Sequence, residues 1–169
     1  MFRFLKNRRW LIRKLCKAWG LSWAEWFLLV RASGLFLAVA LGLKLLPFET
    51  LLARLGGRGR VKGERPGGHP ISVERVAYIV ELASRYHMLK PTCLKKAIVL
   101  YRILRTRGVA VELVVGVTKA EGQLKAHAWV DHRGQVISGG AAVDRYLPVG
   151  WFGGGEATGK RLARQRQTP

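Results

Sequence analysis

The alternation of apolar and polar positions predicts a chain of helices followed by a small sheet. Residues 23–46 are almost continuously apolar. Ser22, with Glu25 three positions later, gives the capping-box pattern of a helix start just before this stretch. Pro47 then opens a shorter helical segment that ends near Leu55. The first third of the chain is therefore expected to be helical.

Two further helices are predicted at residues 72–86 and 93–107. Ser72 and Thr92 precede them as N-cap residues, and Gly108 follows the second helix as a stop signal. The apolar positions of the second helix share one face: Leu94, Ala97, Ile98, Tyr101 and Leu104. This helix is therefore expected to lie against the core.

Three stretches of period-two alternation come next, at residues 109–117, 124–131 and 135–138. Turn residues separate them, so the pattern predicts antiparallel strands joined in a meander. Helices followed by strands are typical of the α+β class. We therefore expect an α+β fold with a small antiparallel sheet.

Charge and composition suggest four parts. These are a basic and apolar N-terminal helical segment at 1–62, a Gly/Pro-rich linker at 63–71, a folded core at 72–152 and a basic disordered tail at 153–169. The first part holds 13 basic and 2 acidic side chains. We expect its apolar stretch, residues 23–46, to be buried against the core, because its uninterrupted apolar run is shorter than the roughly 18 residues of a spanning helix.

The formal net charge of +20 indicates which partners the protein could bind and says little about its fold. A high-GC genome with Arg-rich usage explains part of it without any partner. We do not expect nucleic acid as a partner, whereas peripheral contact with an anionic membrane stays open. That contact would use the basic start of the chain and its tryptophans, which are Trp10, Trp19, Trp23 and Trp26.

Cysteine and histidine spacing gives no metal site. Cys16 and Cys93 form neither a disulfide framework nor a zinc motif, and the four His show no ligand spacing. We therefore expect no metal and no cofactor. A cytoplasmic location, with membrane association left open, fits a chain with free thiols.

Cys93 falls in the first turn of the helix predicted at 93–107. Unpaired N–H groups and the helix dipole favour an anion there, and the thiolate is the nucleophilic form of cysteine. Lys95 and Lys96 add positive charge nearby. The alternative interpretation is a small buried apolar residue, which is the commoner role of a free cysteine.

His127 supplies a partner for this thiol. It lies between Ala126 and Ala128 on the strand predicted at 124–131, where alternation places it on the same face as Trp129 and Asp131. A Cys/His pair suits acyl transfer, since the imidazole takes the thiol proton and later returns it to the leaving amine.

The order of these motifs resembles the transglutaminase-like peptidases of lasso-peptide maturation. The resemblance rests on Cys93-Leu94, a helix that ends in Arg-Gly, a Val-rich strand that ends in Gly-Val, and Ala-His-Ala-Trp-Val at 126–130. It is densest from residue 76 to about residue 148. It implies a transglutaminase-like (papain-like) fold, with Cys93 as nucleophile and His127 as general base.

The family usually orients its His with an acidic or amide residue about a dozen positions downstream. That place falls at Ser138 or Gly139, and no carboxylate is present there. Asp131 shares the strand face of His127 and is the candidate third catalytic residue, although it is about 13 Å away along the strand. Three alternatives stay open: a Cys/His dyad with Ser138 or a backbone acceptor, a displaced Asp144, or a degenerate enzyme. We rank the dyad first.

By the same resemblance, the chain is expected to remove the leader from a ribosomally made precursor peptide. A separate leader-recognition protein and a macrocyclase are then its partners. Two other functions are kept as alternatives. One is an inactive basic adaptor that binds an anionic membrane or nucleic acid, and the other is an acyltransferase that crosslinks amides.

Overall fold

The computed structural model describes residues 21–56, 71–88, 91–120, 122–140 and 143–153. The basic helix predicted at 3–19, most of the predicted linker, nearly all of the predicted tail and Cys16 lie outside these residues. The described part consists of four helices and a four-stranded antiparallel sheet. The predicted α+β class is confirmed.

Helix α1 (Trp23–Leu45) begins with the capping box that the sequence predicts. The backbone N–H of Glu25 donates to Ser22 Oγ at 3.3 Å, and the N–H of Ser22 donates to Glu25 Oε2 at 2.7 Å. Helix α2 spans Phe48–Gly56 and helix α3 spans Val73–Tyr86. The hydroxyl of Ser72 caps α3 by accepting the N–H of Arg75 at 3.2 Å.

Glu25 also joins α1 to α3 through an ion pair with Arg75. The hydrogen bond from Arg75, followed by that from the Ser22 N–H, lowers the pKa of the Glu25 carboxyl. A lowered carboxyl pKa contributes stability at neutral pH, and this contribution is lost as the pH falls through the folded-state value. The start of α1 is therefore fixed to the body of the domain above that pH.

Helix α4 (Cys93–Thr106) is the central helix, and half of its residues are buried. Thr92 takes the N-cap conformation, although its hydroxyl makes no cap hydrogen bond. The helix ends where Gly108 adopts a φ of 82°, as the stop signal predicts. The two ends of α4 therefore follow from the sequence.

The sheet has the strand order β3-β2-β1-β4, with β1 Glu112–Ala120, β2 Gln123–His132, β3 Gln135–Ser138 and β4 Leu147–Phe152. Strand β1 starts three residues later than predicted, since the N–H of Val109 still bonds the carbonyl of Leu104 at 3.0 Å. Strand β4 was not predicted. It contains Pro148 and Gly150, which weaken a strand pattern but are tolerated at a sheet edge.

The two faces of the sheet carry separate apolar clusters. The helices cover one face, where Ala128 and Val130 of β2 join the main core. The other face holds Val114, Trp129 and Val143, with Tyr146 and Trp151 packed against them. This split confirms the predicted alternation along β2.

Helix α1 packs against α3 and α4 with one face only. That face holds Leu28, Ala32, Phe36 and Val39, each at most 1% exposed. The opposite face is apolar and exposed, so the expected burial of this segment is found on one side only. Among the described residues, α1 is the one helix long and apolar enough to cross a membrane, with a mean hydropathy of 2.0 and 22% of its most apolar window buried.

Two phenylalanines of α1 test this division of the helix. Phe36 is 1% exposed and Phe27 is 71% exposed. We expect Phe36→Ala to lower the free energy of unfolding by about 3–5 kcal/mol, because it leaves a cavity in the core. The matched Phe27→Ala should change it by less than about 0.5 kcal/mol. Urea unfolding measures both, and equal losses would contradict the one-sided packing.

Candidate active site

A cavity of about 560 Å³ opens between the helices and the end of strand β3. Residues of α3, the start of α4, β2 and the chain after β3 form its walls. They are Ala77, Tyr78, Glu81, Pro91, Cys93, Lys96, His127, Ala128, Ile137, Ser138, Gly139 and Gly140. The structure thus brings the two residues singled out in the sequence, Cys93 and His127, to one cavity.

Cys93 is the first residue of α4 and is half-buried. The first turn contains no acidic residue. Free N–H groups and the positive end of the helix dipole therefore act on the thiol without an opposing carboxylate on that turn. Cysteines that act as nucleophiles often occupy such positions. The placement of Cys93 at the helix start agrees with the sequence.

His127 lies on β2, and its Nε2 is 2.9 Å from the carbonyl oxygen of Gly139. A carbonyl oxygen only accepts, so Nε2 must carry the hydrogen of this bond. The neutral ring then has a free lone pair on Nδ1, which is the form that a general base requires. The ring also packs against Tyr146 and Trp129, with centroid separations of 5.1 and 6.2 Å.

Gly139 can make this contact because it has no side chain. Its φ is +128°, and a Cβ built there would lie 2.6 Å from Trp129 Cβ and 3.3 Å from His127 Nε2. Any other residue would therefore clash with the strand that bears the base and adopt a strained backbone conformation. The backbone acceptor occupies the place, a dozen residues after the His, where the family pattern expects an acid.

The carboxylates considered from the sequence are placed elsewhere. Asp131, which was proposed as the third catalytic residue, is buried, and its Oδ1 accepts the N–H of Gly134 at 2.7 Å in the β2–β3 turn. Asp144 is exposed in the short 3-10 helix Val143–Arg145. Ser138 lines the cavity. The group that contacts Nε2 of His127 is therefore the carbonyl of Gly139 and not the carboxylate of Asp131.

Glu81 and Lys96 form an ion pair in the wall of the cavity. Lys96 Nζ donates to Glu81 Oε2 at 3.0 Å, and Arg85 Nε donates to Glu81 Oε1 at 3.2 Å. Burial alone would raise the pKa of Glu81, but the hydrogen bonds from Lys96 and Arg85 outweigh it and lower this pKa. Glu81 therefore stays ionised beside the cavity. The sequence did not indicate the ion pair of Glu81 with Lys96, since only the spacing of Glu81 and Arg85 along one helix can be recognised in it.

Cys93 starts a helix on the covered side of the sheet, whereas His127 lies on the same strand face as Trp129. Strand β3 pairs with residues 130–132 of β2. The cavity lies beyond that pairing, beside His127 and Ala128. The two side chains can approach there around the edge of the sheet. A direct hydrogen bond between the Cys93 sulfur and the imidazole stays a prediction.

Gly139 and Gly140 provide a matched pair of substitutions, since both have positive φ and only Gly139 has neighbours within 4 Å of a built Cβ. We expect Gly139→Ala to displace His127, lower the melting temperature and slow iodoacetamide alkylation of Cys93. Gly140→Ala should lower the free energy of unfolding only through backbone strain, by about 1–2 kcal/mol. Mass spectrometry follows the alkylation. Similar effects of the two substitutions would contradict the role of the Gly139 contact.

Asn substitutions test the two displaced carboxylates. Asp131→Asn should cost only about 1 kcal/mol of stability, because the amide Oδ1 still accepts the N–H of Gly134 but without the negative charge, with little change in the alkylation rate of Cys93. Asp144→Asn should change neither quantity. A loss of catalysis approaching the roughly 10⁴-fold of a missing triad acid, at either position, would instead make that residue the third member.

Comparison with known proteins agrees with this geometry. No curated protein and no solved structure matches the chain. A sequence model described as the transglutaminase-like superfamily matches residues 34–150, which is more than half of the chain and includes both Cys93 and His127. Cysteine peptidases and acyltransferases both occur in this superfamily. Because this match covers more than half of its length, the chain belongs to the transglutaminase-like superfamily.

Proposed function

We propose that this protein is a cysteine peptidase in which Cys93 is the nucleophile and His127 the general base. The observation that carries the proposal is the shared cavity, with the thiol at a helix start and the imidazole held through Nε2 by Gly139. This bond leaves Nδ1 as the nitrogen that can accept a proton. A nucleophile, a base and an orienting acceptor are then present without a carboxylate.

The reaction follows from these positions. Nδ1 of His127 takes the thiol proton, and the Cys93 sulfur attacks the carbonyl carbon of the scissile peptide bond. The oxyanion that forms is stabilised by N–H groups at the start of α4, those of Cys93 and Leu94. The intermediate then collapses to a thioester as the imidazolium returns its proton to the leaving amine. Water hydrolyses the thioester and restores the thiol.

The backbone acceptor limits the rate of this reaction. The Gly139 carbonyl fixes the tautomer and the orientation of the His127 ring, but it lacks the full negative charge that stabilises an imidazolium. Substitution of the acid cost about 10⁴ in rate in the serine-protease template, while the remaining groups still catalysed the reaction. We therefore expect slow turnover, which suits the processing of a peptide that is cleaved once.

The substrate that we propose is a ribosomally made precursor of the lasso type, from which the enzyme removes the leader. The support is the resemblance of Cys93-Leu94 and of the Ala-His-Ala-Trp-Val segment at 126–130 to that group of peptidases. A separate recognition protein would present the leader and a macrocyclase would use the core peptide. The ion pair of Glu81 and Lys96 would face the bound peptide, since both residues line the cavity.

The nucleophile is tested with and without a substrate. Iodoacetamide should alkylate Cys93 faster than Cys16, and His127→Ala should slow alkylation of Cys93 but not of Cys16, because the imidazole favours the thiolate. In a reaction that contains a lasso-type precursor, a leader-recognition protein and a macrocyclase, Cys93→Ala should abolish leader cleavage and Cys16→Ala should preserve it. Mass spectrometry measures both the alkylation of each cysteine and the cleavage of the leader.

Each alternative predicts a different product. Peptide joined to an added amine, in place of free acid, would indicate an amide-crosslinking acyltransferase. Equal alkylation of the two cysteines, with no effect of His127→Ala, would indicate an inactive adaptor. Cleavage that persists in Cys93→Ala but not in Cys16→Ala would overturn the assignment of the nucleophile.

A further inference from the structure

The outward face of α1 carries a continuous row of exposed apolar side chains, here called the outer stripe. Its members are Trp23, Phe27, Val30, Leu37, Leu41 and Leu45, which are 51% to 92% exposed. They recur at spacings of three, four and seven, so they share one side of the helix. At about 100° per residue, this side lies opposite the buried residues of α1. The helix is therefore apolar on two opposite faces, of which the described residues cover one.

The buried face fixes α1 to the domain. Leu28 and Phe36 are each 1% exposed against α3 and α4, and Glu25 pairs with Arg75 of α3. If α1 left the domain to span a bilayer, the faces of α3 and α4 that it covers would meet water and this ion pair would break. Exposing large apolar side chains to water in this way is strongly unfavourable. The outer stripe can meet lipid while α1 stays packed only if the helix lies in the membrane surface.

Charge indicates which surface the outer stripe fits. Arg31 and Lys44 are exposed and lie on the two sides of the stripe, each within about a quarter turn of its centre. Arg31 holds its guanidinium near the end of α4 by donating to Thr106 Oγ1 at 3.1 Å. Residues 1–20, which precede α1, contain seven Lys and Arg and no Asp or Glu. Cations beside an apolar stripe are typical of helices that bind anionic lipid.

A second copy of the chain is a poorer occupant of the same stripe. Each copy has a formal net charge of +20, so self-association would bring strongly like-charged molecules together. Anionic lipid instead neutralises this charge. Trp23 and Trp26 at the start of α1 also suit the headgroup region, where the amphipathic indole ring prefers to lie.

We propose that the outer stripe of α1 docks the protein on an anionic membrane surface, with the helix lying in the plane of the interface. The walls of the cavity come from α3, α4, β2 and the chain around β3, so this docking does not use them. The docking is independent of the chemistry of Cys93. A Cys93→Ala variant should therefore bind membranes as the wild type does, and failure of one proposal leaves the other standing.

Vesicle flotation of the full chain tests the docking. Vesicles of phosphatidylcholine mixed with phosphatidylglycerol should carry the wild type at low salt, and vesicles of phosphatidylcholine alone should carry much less. The triple variant Phe27→Gln/Leu37→Gln/Leu41→Gln should bind at least about tenfold more weakly, since a loss of about 1.4 kcal/mol already gives that factor. Added salt should weaken the remaining binding because it screens the charges.

The matched control replaces exposed apolar residues of the sheet. Leu124→Gln/Leu147→Gln/Val149→Gln changes side chains that are 57% to 74% exposed, and it should bind as the wild type does. Three results would overturn the proposal. These are a wild type that ignores anionic vesicles, an outer-stripe variant that binds them as well as the wild type, and a dimer in solution that the outer-stripe variant dissociates without any change in lipid binding.

Discussion

The bond between Nε2 of His127 and the carbonyl oxygen of Gly139 is the constraint on which the site depends. At 2.9 Å it places the hydrogen on Nε2 and leaves Nδ1 as the basic nitrogen. It requires the backbone of Gly139 to run against Trp129, closer than any Cβ would allow. The glycine therefore fixes both the protonation state of the base and its orientation, which are two of the three tasks that an acid performs in a triad.

The fold supplies what surrounds this contact. Helix α4 delivers Cys93 at its start, at the positive end of the helix dipole, and its buried face secures the helix against the sheet. The ion pair between Glu81 and Lys96 ties α3 to α4 at the cavity wall. Strand β3 ends at Ser138 beside the edge of β2, and the next residue, Gly139, supplies the carbonyl that holds His127. Chemistry at that edge thus depends on packing in the core and on the length of one strand.

The sequence was informative where a side chain carries the signal. Both ends of α4 and the bounds of β3 were predicted because N-cap, glycine-stop and period-two patterns act locally. Strand β4 was missed because Pro148 and Gly150 interrupt the pattern of residues by which a strand is recognised, although both are tolerated at a sheet edge. The acceptor at Gly139 could not be identified as a site residue, since a backbone carbonyl has no signature in a sequence. The pairing of Glu81 with Lys96 joins two helices, so spacing along one helix could not show it.

The tautomer of His127 tests the central claim most directly. Two-dimensional ¹⁵N–¹H correlation NMR of the imidazole at neutral pH, assigned with a His127→Gln variant, identifies which ring nitrogen carries the hydrogen. A carbonyl acceptor at Nε2 predicts one neutral form, protonated at Nε2 and unprotonated at Nδ1. A neutral ring that carries its hydrogen on Nδ1 alone, or one that averages rapidly between both neutral forms, would contradict the account, because Nδ1 would then not be held as the base for Cys93.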